Sequence, residues 1–127
     1  MNAPTTTQQY DLLQKSELQA QVVAALQRVL PPESLLWTPE QTTPYECDGL
    51  TAYRQRPLAV ALPASYEQIQ QVLRTCHALG VPVVARGAGT GLSGGALPPE
   101  RGVTLSPAKF NRILKVDPLA RTALVQC

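Results

Sequence analysis

The stretch Arg86-Gly87-Ala88-Gly89-Thr90-Gly91-Leu92-Ser93-Gly94-Gly95 carries five of the chain's eight glycines within nine positions. Neither a helix nor a strand runs well through it, because each glycine brings backbone entropy that folding must remove. A turn that only reverses the chain seldom needs so many residues without side chains. Glycine permits positive φ and close approach, so successive N–H groups can converge into a concavity that holds an anion. Phosphate is the anion such a loop suits; a glycine-rich turn that binds nothing is the competing reading.

Gly89-Thr90-Gly91-Leu92-Ser93-Gly94 matches G-x-G-x-x-G letter for letter and follows an apolar, β-branched run. A dinucleotide fingerprint of that type must open a helix, with an acidic residue on the next strand. Here Pro98-Pro99 follows within a few residues and forbids a continuing helix, and Asp117 comes only after a third strand. A P-loop is excluded because no Gly-Lys-Ser/Thr follows. What remains is a long loop whose backbone amides, with the Thr90 and Ser93 hydroxyls, cradle a pyrophosphate without a helix dipole.

The residues around the loop predict a mixed α/β, or α+β, framework. Leu58 to Leu62 is wholly apolar, as suits a strand buried on both faces. Ser65 and Gln68 have capping-box spacing, and Ile69, Val72, Leu73, Cys76 and Leu79 mark the apolar face of a helix that Gly80 caps. Val81 to Ala85 is a second strand, completing a βαβ unit with parallel strands. Gly102–Ser106 and Ile113–Asp117 read as further strands, the latter forming a hairpin with Arg121–Gln126 and making a small mixed sheet. Leu114/Val116 and Ala123/Val125 alternate with polar residues, which predicts one buried face for that hairpin.

Residues 1–56 read as an N-terminal arm: a polar stretch over 1–15, one helix over about 16–30 opened by Ser16 and Gln19, and a connecting loop with Leu35, Leu36 and Trp37 as anchor. Leu18, Val22, Leu26 and Val29 give that helix its apolar stripe, and Pro31-Pro32 ends it. With 127 residues and 44% hydrophobic content the chain has one core, not two. A formal charge of +2 without basic clusters, and few aromatics, disfavour a nucleic-acid binder. No apolar run reaches the roughly 18 residues of a spanning helix. The polar N-terminus is no secretory signal, so a cytoplasmic location is expected. Cys47, Cys76 and Cys127 are odd in number and form no C-x-x-C pair, which argues against a disulfide framework or a zinc site, and His77 reads as a surface residue of the helix.

The run from Pro57 to Gln126, with Pro63-x-Ser65, the glycine segment fed by Val81-Pro82-Val83-Val84-Ala85, and Val116-Asp117-Pro118, resembles the FAD-binding domain of the vanillyl-alcohol oxidase and p-cresol methylhydroxylase (PCMH) type. Pro44-Tyr45-Glu46-Cys47-Asp48-Gly49-Leu50-Thr51-Ala52-Tyr53-Arg54 narrows the likeness to the FAD-linked subunits of glycolate oxidases and the related D-lactate dehydrogenases. The resemblance implies that 57–127 is the first subdomain of a PCMH-type domain, truncated relative to the family. It implies that Arg86, Gly87, Ala88, Gly89, Thr90 and Gly91 line the FAD diphosphate and ribityl, that Ser93, Gly94 and Gly95 close the other side, and that Pro82 sits near the adenine end.

Several relatives attach the flavin through a histidine; Thr90 matches it here, which implies non-covalent FAD. The implied activity is that of the FAD-binding portion of a flavin-dependent 2-hydroxy-acid oxidoreductase, with other glycolate oxidase subunits, including an iron–sulfur subunit, as partners. No catalytic residue and no metal ligand falls within these residues. Asp48 and Arg54 match the family pattern, either as an ion pair that orders their loop or as contacts to flavin or substrate. The alternative is a catalytically inactive module that binds a nucleotide or a partner subunit.

Overall fold

The computed structural model describes residues 5–126. Its first helix starts well before Ser16. Helix α1 spans Thr6–Leu26, because Thr5 and Gln8 form the capping box: the Thr5 hydroxyl accepts from the Gln8 N–H and Gln8 Oε1 accepts from the Thr5 N–H. The stretch expected as a polar arm is therefore helical from Thr6 onward, and Met1–Pro4 lie outside the described residues. Gln19 uses its side-chain amide differently, donating to the Trp37 and Leu58 carbonyls and tying α1 to the approach of the sheet. Only Val22, Val23 and Leu26 of α1 are buried, followed by Leu30 in the turn before Pro31.

Leu35–Leu36, expected as part of a loop, forms the short strand β1; a short helix α2 (Pro39–Thr42) follows, capped by Thr38. Strand β2 (Ala59–Ala61) is entirely buried. Helix α3 covers Tyr66–Ala78 with Ser65 as its N-cap, but Gln68 Oε1 accepts from the Ala64 N–H, so the box is closed one residue early. Val72 and Cys76 face the core, with Ile69 partly buried against it. Leu73 and Leu79, expected on that face, are 44% and 38% exposed. At the end of α3, Gly80 takes φ +64, with bonds from Gly80 N–H to the His77 carbonyl and from Val81 N–H to the Cys76 carbonyl. This is the paired C-terminal cap that glycine makes possible.

Strands β3 (Val83–Ala85) and β4 (Val103–Leu105) complete a four-stranded sheet in the order β1-β2-β4-β3. β2 and β3 are both parallel to β4, which lies between them, and only β1 runs antiparallel. The sheet is mixed because of β1. The hairpin strands β5 (Ile113–Asp117) and β6 (Thr122–Val125) form a separate two-stranded sheet. Its expected buried face is also corrected: every residue of both strands is exposed except the half-buried Asp117. An irregularity between Ile113 and Lys115 takes Leu114 out of the pairing, leaving Ile113, Val116, Ala123 and Val125 on one side.

The core joins α1, β1, β2, α3 and β4 through Val22, Leu26, Leu35, Leu58, Val72 and Val103. Leu26 is fully buried, so Leu26→Ala is expected to cost about 3 kcal/mol. Gly80→Ala meets no steric obstacle but forces alanine to positive φ, a cost of about 1 kcal/mol. Urea unfolding of both variants checks this pair: equal midpoints would contradict the burial at Leu26.

Candidate functional site: a ledge of free backbone amides

The parallel ladder delivers the glycine segment. The Arg86 N–H donates to the Leu105 carbonyl (2.8 Å), the last bond between β3 and the β4 side of the sheet. Beyond it, no backbone N–H from Gly87 through Ala96 donates to any described residue. The chain closes again where the Leu97 N–H reaches the Gly94 carbonyl (3.1 Å). No helix follows; the segment remains irregular as far as Arg101.

Backbone N–H groups are strong, obligatory donors, and a run of them without acceptors is held ready for water or for an anion. Gly89 and Gly94 take φ +71 and +74, which a side chain would oppose. At Gly87, Gly91 and Gly95 a Cβ would meet nothing within 4 Å, so the space over these three residues is open. Thr90 and Ser93 are exposed on the same segment, as is Ala88. The loop is an open ledge that offers donors and carries no carboxylate of its own.

Two expected site residues stand differently. Pro82 precedes β3, its carbonyl accepting from the Val103 N–H (2.9 Å), so the length of β3 separates it from the loop. Arg86 is in the loop, but its guanidinium turns back: Nη1 donates to the Cys47 carbonyl (2.7 Å) and the group lies 5.6 Å from the centre of the Tyr45 ring. A Cβ at Gly89 would stand 2.2 Å from Arg86 Nη2, so that glycine makes room for the arginine as well as for its own φ. Gly49 presses on the loop from below; a Cβ there would lie 2.7 Å from the carbonyl oxygens of Thr90 and Gly91.

The Tyr45–Leu50 segment is thus part of the site, although no spacing rule marks it. Its only sequence signal is its likeness to the glycolate oxidase pattern. Of the two readings of Asp48 and Arg54, the ion pair between them does not form. Arg54 pairs with Glu46 (3.0 Å), while Asp48 is buried and its Oδ1 accepts from the Leu50 N–H (2.9 Å) in a local turn. The Gln55 N–H donates to the Glu46 carbonyl (2.7 Å) and closes this segment on itself. A cleft of about 450 Å³ lies apart from the loop, between α1 and the approach to β2, lined by Lys15, Gln19, Trp37, Arg54, Arg56 and Leu58 among others.

Among the described residues no group of three His, Cys, Asp or Glu could hold a metal ion, and no helix is long and apolar enough to cross a membrane. Burial pushes the Cys76 thiol up to about 11. Cys47 is half-buried.

Parallel strands that end in a glycine ledge, with helices packed on a mixed sheet, define an α+β domain. The model of the FAD binding domain family matches residues 57–127, and the chain belongs to that family. It is 56% identical over 105 residues to the glycolate oxidase subunit GlcD of Escherichia coli (strain K12), covering 83% of this chain and 21% of that protein. It is 36% identical over 104 residues to a D-2-hydroxyglutarate dehydrogenase of Xanthomonas citri pv. viticola, covering 82% of this chain and 22% of the relative. The fold matches the solved structure of p-cresol methylhydroxylase with substrate bound at a TM-score of 0.67 and 26% identity, over 80% of this chain and 21% of that one. The likeness to PCMH-type domains is thus borne out. The chain spans about a fifth of the length of these curated relatives.

The thiols give a direct check on the packing under α3. Cys76 is fully buried and its pKa is raised, so iodoacetamide at pH 8 should leave it unmodified in the folded chain and label it after unfolding. Folding favours the neutral thiol. Its contribution to stability is complete below the ordinary thiol range near 9 and is lost as pH rises toward 11. Peptide mapping that found Cys76 alkylated as fast as Cys47 would contradict this placement.

Proposed function

We propose that residues 86–95 hold the pyrophosphate of non-covalently bound FAD, and that the chain is the FAD-binding portion of a flavin-dependent 2-hydroxy-acid oxidoreductase. The run of N–H groups from Gly87 to Ala96 without an acceptor carries this reading, with the open space over Gly87, Gly91 and Gly95. An anion pressed against the backbone needs both features, and the residues present fit a diphosphate. The Thr90 and Ser93 hydroxyls add donors, and Thr90 has no ring nitrogen for a covalent flavin link.

Bound FAD supplies the acceptor for the hydride that leaves the α-carbon of a hydroxy acid. The chain's own residues bind and orient it. No described residue of the loop is a general base: residues 86–95 contain no Asp, Glu, His, Lys, Cys or Tyr. The class of substrate rests on the relatives, one named for glycolate and another for D-2-hydroxyglutarate, both 2-hydroxy acids. The word subunit in the first relative's name supports assembly with further chains. An iron–sulfur partner rests on the family resemblance alone.

Titration of the chain with FAD, followed by flavin fluorescence and by the thermal midpoint, tests the assignment. Saturable quenching with a raised midpoint is expected. Gly91→Val should lower FAD affinity by about a hundredfold or more, because its side chain occupies the space that the diphosphate needs. Equal affinity in wild type and Gly91→Val would move the nucleotide off this loop.

A further inference from the structure

We propose that Tyr45–Leu50 is the back wall of the glycine loop, and that Arg86 and Gly49 are positioning residues that set the loop in its anion-binding shape. This rests on the loop being the diphosphate site. A segment rich in glycine and without hydrogen bonds of its own has little to hold it in one conformation. Between its closures at Arg86 and Leu97, the loop is contacted by the Tyr45–Leu50 segment. The Arg86 guanidinium reaches under Gly89 to the Cys47 carbonyl and stacks near Tyr45. Gly49 packs so closely on the Thr90 and Gly91 carbonyls that only hydrogen fits, and a Leu50 methyl lies 3.9 Å from where a Cβ of Gly94 would stand.

These contacts act on the back of the loop. The Thr90 and Gly91 carbonyl oxygens face Gly49, while the space over Gly91 is open. Ordering the loop before the ligand arrives removes that entropy from the cost of binding. Arg86 adds a second effect. Among the described residues it has no carboxylate within salt-bridge distance, as is also the case for Arg56 and Lys109. Its hydrogen-bonding edge is engaged with the Cys47 carbonyl, next in sequence to the buried Asp48, and its charge adds to the field at the ledge.

Geometry and charge separate by substitution. Gly49→Ala changes only geometry: Gly49 is not at positive φ, so the new methyl causes no backbone strain and acts by pushing on the loop. Arg86→Lys keeps the charge and loses the planar donor that spans Cys47 and Tyr45. Arg86→Gln loses the charge. Gly80→Ala, at the far end of α3, serves as the control, since it lowers stability without touching the loop.

FAD affinity of these four variants, wild type and Gly91→Val is measured by fluorescence titration at two salt concentrations, well below each variant's thermal midpoint. Gly49→Ala and Arg86→Gln should each weaken FAD binding by about tenfold or more, while Gly80→Ala leaves it unchanged. Arg86→Gln should flatten the salt dependence, and Arg86→Lys should restore that dependence without restoring full affinity. If Gly49→Ala does not fold, the two Arg86 variants decide. Wild-type affinity in Gly49→Ala and Arg86→Gln, with binding lost in Gly91→Val, would overturn the back wall and leave the loop site standing. A loss in Gly80→Ala equal to theirs would reduce them to stability effects and overturn the proposal as well. Wild-type affinity in all variants including Gly91→Val, or no binding by wild type, would overturn the loop site itself.

Discussion

Strand β4 is the rod on which the site is built. It accepts β2 on one side and β3 on the other, both parallel, and each of its residues is buried. The bonds that leave the ladder fix the surrounding chain: Leu58 N–H to the Gly102 carbonyl, Val103 N–H to Pro82, Arg86 N–H to Leu105, and Ser106 N–H to Ala61. The third of these sets where the glycine loop begins. Because β2, β3 and β4 run the same way, their C-terminal ends open at one edge of the sheet, and the loop leaves β3 at that edge. Open parallel sheets use this position for ligands generally. Here the groups at that edge are loop amides with no helix behind them.

A cradle built from backbone amides has to solve an ordering problem. Free amides suit an anion, but the residues that leave them free are those least able to hold a shape. The molecule resolves this with contacts from a different part of the sequence. Tyr45, Cys47 and Gly49 come from the stretch ahead of β2, which closes on itself through Glu46, Arg54 and Gln55. Residues that bear no phosphate-binding group of their own thereby belong to the site. Gly49 illustrates the division of labour: its missing side chain makes room for protein, while those of Gly87, Gly91 and Gly95 face open space.

The sequence disclosed those features that local rules encode. The glycine segment, the Ser65 cap, Gly80 and the short apolar strands follow from periodicity and backbone chemistry, and each stands near its expected place. Three others depended on tertiary choices. Helix α1 begins at Thr6, capped by Thr5, because two equivalent capping patterns were available, and before Ser16 it carries the exposed Asp11–Arg101 and Lys15–Glu100 pairs and no buried side chain. β1 is too short for alternation to reveal it, and its strand character comes from pairing with β2. The Asp48–Arg54 pair was chemically reasonable, but Glu46 lies within reach of Arg54 and Asp48 turns inward.

Arg86 shows why a motif match places a residue in a site more readily than it gives the residue a role. An arginine that opens a phosphate loop invites assignment as a direct ligand, since guanidinium suits phosphate. In this fold the residue emerges from β3 with its backbone tied to Leu105, and the nearest acceptor for its side chain is the Cys47 carbonyl behind the loop. The carbonyl accepts one donor from the guanidinium, so the side chain ties the start of the loop to the Cys47 segment. Moving the guanidinium to the front would break a 2.7 Å hydrogen bond and the contact with Tyr45. Both losses would fall on the segment that supports the Thr90 and Gly91 carbonyls. On the proposal that the backbone amides hold a diphosphate, Arg86 is left to anchor the loop from behind while the amides make the direct contacts.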